Sequence, residues 1–460
     1  MSNEQIQKAI DFVQQHHDTI IDGYKQLLKF PSIGADPAYA DDVKQCAEWI
    51  VSELTRIGFD NAQVIPTAGH PVVYADWLHA GDDKPTVLVY AHYDVQPVDP
   101  LHLWDSEPFE ADIREGRMYA RGTNDDKAGV WGNLMAFEAM LATTGELPLN
   151  VKVMFEGEEE SGSPSMQPFI ESHLDMLQAD VMLNSDSGFD REDPRLSYGG
   201  RGIISADVYV KGPKADLHSG GFGGIVQNPL HVAAQIIASF HDSEGRVAID
   251  GYYDDIIAVD DAEREILNTH WQPDRAKDIA GVELSWGRGI ASDAERATVY
   301  PTLDVNGMWG GYQGPGTKTI IPAEAHIKIT MRLVPGQNPS SISERFLDHV
   351  QKFATETVSV EAKVNQEGWP FLMVTDGPYL EAVQSTLEEV TGHRATMTRT
   401  GGSIPILGMF NRLFDMPITS YGYGEGDNAH APNEFVELDA FFLALEGGIR
   451  LYHKLAAIEK

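Results

Sequence analysis

Glu156, Glu158, Glu159 and Glu160 crowd into five positions of FEGEEESGS (155–163), directly after an apolar run that begins at Val151. Neighbouring carboxylates repel one another, so the segment is either a solvated acidic turn or a site that uses carboxylates in different roles. Other acids and histidines follow apolar runs in the same way. His92 and Asp94 stand in AHYDVQP, and residues two apart in an extended segment point the same way, so the pair can address one space. Asp186 stands in NSDSG and His430 in GDNAHAPNE, while RGTNDDKAGV (121–130) supplies Asp125 and Asp126 ahead of a helical pattern through Trp131, Leu134 and Phe137. Singly, loop hydrogen bonding, helix capping or solvation explains each of them. Together, two histidines and several carboxylates make a mixed nitrogen and oxygen donor set suited to borderline divalent metals such as zinc. Two ions about 3.5–4 Å apart would need a bridging carboxylate.

Positioning such a set is the task of the flanking elements. The runs 72–78, 86–91, 151–155 and 181–183 are short and rich in valine and leucine, with helical patterns between several of them. They predict an α/β domain with a largely parallel sheet buried on both faces. AHYD, FEGEEE and NSD then fall at the carboxyl ends of the runs 86–91, 151–155 and 181–183, where open α/β sheets bind ligands. Val43, Cys46, Ala47, Ile50, Val51 and Leu54 follow the spacing of an amphipathic helix that Gly58 ends.

Around Gly199 the pattern changes. Segments 204–210 and 326–333 alternate apolar and polar residues, and helical patterns follow at 229–240 and 341–353, predicting an inserted α+β lid. The acidic 251–300 stretch reads as surface helices and loops. A return to the first domain is expected at GWPF (368–371), followed by a helix at 378–391, short strands and a terminal helix starting near 434. The expected division is a catalytic domain of 1–199 and 369–460, with 200–368 inserted.

Composition bounds the partners. A chain of 460 residues suggests two domains, and 34 basic against 70 acidic residues gives −36, which disfavours nucleic acid and anionic membranes. The single cysteine, Cys46, rules out an intrachain disulfide and a Cys-rich metal knuckle. With no signal-peptide pattern and no apolar run near the roughly 20 residues that span a bilayer, a cytoplasmic protein is expected.

AHYDVQP, RGTNDDKAG, FEGEEESGS, NSD, YGGRG, DLHSGGFGG, GPGTKTIIP, RLVP, RTGGSIP and AHAPNE resemble, in order and over most of the chain, the motifs of a known family. It is the two-metal amidohydrolases and exopeptidases that include carboxypeptidase G, succinyl-diaminopimelate desuccinylase, aminoacylase and, as the nearest branch, the carnosinase-type dipeptidases. The resemblance implies a zinc-exopeptidase-like α/β catalytic domain with an inserted ferredoxin-like lid that also forms a homodimer. It further implies two divalent ions per subunit, zinc foremost, with manganese or cobalt as alternatives. His92 and Asp186 would be terminal ligands of one ion, Glu160 and His430 of the other, and Asp125 the bridge. Asp94 would orient His92, and Glu159 would be the general base. Glu156 and Glu158 receive no chemistry.

From the lid, the resemblance implies that His218 stabilises the oxyanion, often in a neighbouring subunit's site. Thr319 and Arg332 would be further lid contributions, Arg332 clamping a substrate carboxylate, and Gly402 and Ser403 would contact substrate. Two departures stand out: Ala128 replaces the glycine usual after the motif lysine, and Thr400 replaces the Glu that commonly precedes GGS in the nearest branch and meets a substrate amino group. The expected activity is metal-dependent hydrolysis of the amide bond in dipeptides or similar small substrates with a free carboxylate. The alternatives are hydrolysis of N-acyl or N-carbamoyl amino acids, or metal-dependent peptide binding without catalysis.

Overall fold

A strand at Thr86–His92, buried at every residue after Thr86, forms the middle of the main sheet. The computed structural model describes residues 3–287 and 289–459. The sheet has six strands, in the order Asp60–Ile65, Val72–Trp77, Asn150–Glu156, Thr86–His92, Val181–Asn184 and Ile418–Ser420. The last four run parallel to one another. Val72–Trp77, expected among the parallel strands, is antiparallel to both its neighbours, so the sheet is mixed. Chain length explains the difference: the connections on either side of this strand are shorter than the dozen or more residues a parallel crossover requires.

Helix Lys127–Thr144 is buried over most of its circumference and packs against Asn3–Gln15 and Leu438–Leu455. An all-round apolar surface of this kind suits a helix enclosed by others. Ala40–Ile57 ends on Gly58 in the left-handed region, φ 102°, a conformation that costs glycine nothing. The terminal helix begins at Leu438 rather than near 434, because Phe435–Glu437 is held extended by antiparallel pairing with Arg117–Tyr119. Among the described residues no helix is long and apolar enough to cross a membrane.

Contacts divide the chain into two compact units. One comprises the described residues up to Tyr198, Met373–Met397, and those from Met409 onward; the other comprises Gly199–Leu372 and Thr398–Gly408. The second unit follows a βαββαβ path: Gly202–Lys211, Pro229–Ser239, Thr302–Gly310, Glu324–Leu333, Pro339–Gln351 and Ser359–Gly368. Its four strands form an antiparallel sheet in the order 302–310, 324–333, 202–211, 359–368, with both helices packed on it, which is the ferredoxin-like arrangement. The acidic stretch contributes helices Asp261–His270, Pro273–Ala280 and Asp293–Thr298 to this unit. Segment 398–408 also packs here, although the expected domain bounds place it with the catalytic part. Two backbone bonds fix it: the Arg201 N–H donates to the Gly402 carbonyl at 2.9 Å, and the Thr400 N–H to the Gly199 carbonyl at 2.8 Å.

Candidate metal centre

Three parallel strands deliver the first acids and imidazole. Thr86–His92 ends on His92, Val181–Asn184 stops two residues before Asp186, and Asn150–Glu156 leads into the short 3₁₀ turn Glu159–Ser161. Asp125 precedes helix Lys127–Thr144, whose N-cap is Asp126; that side chain accepts from the Gly129 N–H and also from the His92 N–H, both at 3.2 Å. The Asp125–Asp126 peptide is cis. His430 arrives from a loop in which Asn428, His430 and Asn433 all adopt left-handed backbone, with φ of 62°, 63° and 62°.

Asp125 lies between the two histidines. Its Oδ1 is 3.1 Å from His92 Nε2 and its Oδ2 is 3.0 Å from His430 Nε2, and His430 Nε2 is also 3.2 Å from Glu160 Oε2. Two groups of candidate metal ligands share this aspartate: His92, Asp125 and Asp186, and Asp125, Glu160 and His430, with one donor atom from each residue of a group within 4.8 Å of the others. Nitrogen and carboxylate oxygen in this proportion fit borderline divalent ions, and a shared carboxylate fits a pair of them.

The electrostatics of the protein groups alone point the same way. Burial opposes charge on His92, yet Asp125 and Asp94 hold its pKa well above the ordinary histidine value. Asp125 and Glu160 push His430 up to about 10. Burial also works against Asp125, but His430 and His92 keep it below the usual carboxylate range. Burial pushes Asp186 up to about 6 and Glu159 well above its ordinary value. Excess negative charge in a desolvated cluster is thus balanced by protons, which bound cations would replace.

Surrounding groups aim the candidate ligands. His92 Nδ1 faces the Asp94 carbonyl at 3.0 Å and its Oδ1 at 3.4 Å, acceptors that keep a proton on Nδ1, so that Nε2, beside Asp125, is the ring nitrogen a bound cation would take in place of its proton. The Asp94 carboxylate in turn accepts the backbone N–H groups of Glu159 and Glu160, both at 3.1 Å. Gln96 donates to Glu160 Oε2 at 2.7 Å. Sequence reasoning passed over Gln96, although it lies within AHYDVQP, because an amide carries no charge and its partner is 64 positions away. It also gave no role to Arg121 and Glu434.

The lid candidates all lie in the second unit. His218 is exposed, accepts from the Gly220 N–H at 3.0 Å, and pairs with Ile320 in a two-stranded ribbon beside Thr319, whose carbonyl accepts from the Ser219 N–H. Arg332 donates to the Ser403 hydroxyl at 2.8 Å. The Thr400 hydroxyl accepts from the Gly402 N–H at 3.1 Å, so it closes its own turn.

Residues 88–457 match the model of peptidase family M20/M25/M40. The chain belongs to this family. It is 28% identical to the Cys-Gly metallodipeptidase dug1 of Schizosaccharomyces pombe over 98% of this chain and 99% of that protein. It is 26% identical to the human Beta-Ala-His dipeptidase over 93% of this chain and 88% of that one. An M20 family metallo-carboxypeptidase from Sulfolobus solfataricus superposes with a TM-score of 0.85 at 32% identity, covering 95% of this chain and 99% of that one. In this M20 peptidase, then, the strand-end cluster sits on a metallopeptidase scaffold.

Proposed function

We propose that this M20 peptidase is a dipeptidase that holds two divalent ions, zinc foremost, and cleaves the amide bond of small substrates with a free carboxylate. The observation that carries the reading is Asp125, one carboxylate facing His92 through one oxygen and His430 through the other. His92 and Asp186 would hold one ion, Glu160 and His430 the other, and Asp125 both. Bound there, the ions would polarise the scissile carbonyl and lower the pKa of water.

The chain's own residues supply the remainder. Glu159 belongs to neither ligand group among the described residues, so its carboxylate is free to take a proton from the attacking water and return it to the leaving nitrogen. Asp94 orients Glu159 through the backbone and His92 through the ring. His218 would stabilise the oxyanion, Arg332 would clamp the substrate carboxylate, and Thr319, Gly402 and Ser403 would complete the substrate contacts. A homodimer formed through the lid and a cytoplasmic location are parts of the same proposal.

Thr400 favours a second reading, hydrolysis of N-acyl or N-carbamoyl amino acids, because a neutral hydroxyl engaged in its own turn offers no negative charge to a substrate ammonium. A panel of free dipeptides and their N-acylated counterparts, assayed after reconstitution with zinc, manganese or cobalt, separates the two. The dipeptidase reading requires faster turnover of the free amines; faster turnover of the acylated substrates overturns it.

A further inference from the structure

Arg121 opens the RGTNDDKAG motif and Glu434 closes AHAPNE, and neither has a part in the chemistry described above. Both side chains are buried, Arg121 at 1% and Glu434 at 0% exposure. Arg121 Nη1 donates to Glu434 Oε2 at 2.6 Å. The same oxygen accepts from the Gly122 N–H at 2.8 Å, while Oε1 accepts from the N–H groups of Asn124 at 2.8 Å and Asp125 at 3.1 Å. Arg121 Nη2 donates to the carbonyls of Pro97 at 3.2 Å and Ala431 at 3.3 Å.

One ion pair therefore touches three loops. The first runs from His92 to Pro97, the second from Arg121 to Asp125, and the third from His430 to Glu434. Each carries at least one candidate ligand. A buried ion pair is by itself weak evidence for stability, since desolvation offsets much of the attraction; fixing the relative register of segments is its better-attested use. Every partner of Glu434 named here is a donor, so the position requires a carboxylate with all its acceptor capacity. A neutral amide would turn an NH2 group towards backbone N–H groups.

We propose that the Arg121–Glu434 pair is the positioning device of the two-ion centre, setting where the Asp125 carboxylate stands relative to His92 and His430. It acts through the backbone N–H of Asp125 and through the loop that presents His430. Neither residue is a ligand or a proton carrier. The inference rests on the ligand reading given under Proposed function.

The test uses the full chain with Glu434→Gln, and reads zinc affinity by competition with a chromogenic chelator and the visible absorption of the cobalt-loaded protein. The expected result is affinity weakened by about 10- to 100-fold with a displaced cobalt spectrum, as for other groups that orient ligands. A folded Glu434→Gln variant that binds both ions with unchanged affinity and spectrum overturns the proposal. If that variant does not fold, Arg121→Lys keeps the charge but cannot reach all three acceptors with a planar fork, and the same readouts decide. Asp125→Asn separates the two levels of inference. Loss of the ions in Asp125→Asn, with wild-type binding in the pair variants, removes the positioning role alone; unchanged binding in Asp125→Asn removes the ligand reading and this proposal with it.

Discussion

Within FEGEEESGS each glutamate meets different partners. Glu158 is buried and accepts from the N–H groups of His70 at 2.6 Å and Ser165 at 3.0 Å, so it ties two loops together. Glu156 accepts from the Tyr90 hydroxyl at 2.8 Å beneath the cluster, and burial pushes its pKa up to about 8. Because the unfolded value is near 4.5, the unfolded chain loses this proton first as pH rises, and stability falls between about pH 4.5 and 8. Glu156→Gln removes that dependence. Urea unfolding of the metal-free protein should show the variant gaining on the wild type by about a few kcal/mol between pH 5 and pH 8; a constant difference across that range contradicts the assignment. Glu160 and Glu159 are left as proposed ligand and proton carrier. Their types and adjacency were legible in the sequence, while the partners of Glu156 and Glu158 were not, since His70 and Tyr90 are distant along the chain and become neighbours only through the fold.

At the scale of elements, the start of helix Lys127–Thr144 joins capping to the site. A Cβ added to Gly129 would lie 2.4 Å from Asp126 Oδ1, and Asp126 is buried and already holds the His92 N–H. Alanine normally stabilises a helix interior by about 1 kcal/mol relative to glycine, but overpacking a buried position costs about 1–3 kcal/mol, so the clash should win. Gly129→Ala is expected to lower the urea midpoint of the metal-free protein and weaken metal binding; a more stable variant with normal metal affinity counts against this account of the cap. Periodicity located the strands and most helices because buried strands and amphipathic helices leave local patterns. It did not reveal the direction of Val72–Trp77, which depends on connection length, or the extended Phe435–Glu437, whose partner Arg117–Tyr119 lies some 320 residues earlier.

Over the whole molecule, two compact units divide the work that the sequence assigned to ten motifs. The candidate ligands and Glu159 belong to the unit with the mixed sheet, and His218, Thr319, Arg332, Gly402 and Ser403 to the ferredoxin-like unit. In the latter, Thr302–Gly310 is an edge strand that exposes Val305 and Met308, which supports a lid-mediated dimer. Val305→Lys should give a monomer by light scattering that keeps its ions but loses turnover, if His218 serves the neighbouring subunit; a fully active monomer removes that role. The central claim is narrower, that adjacent glutamates divide metal binding from proton transfer. The most direct measurement is metal content and turnover of Glu159→Ala side by side with Glu160→Ala. Glu159→Ala should retain two ions per chain while turnover falls by about 10²- to 10⁴-fold, and Glu160→Ala should lose metal; a two-ion Glu159→Ala enzyme with near wild-type turnover would contradict the account.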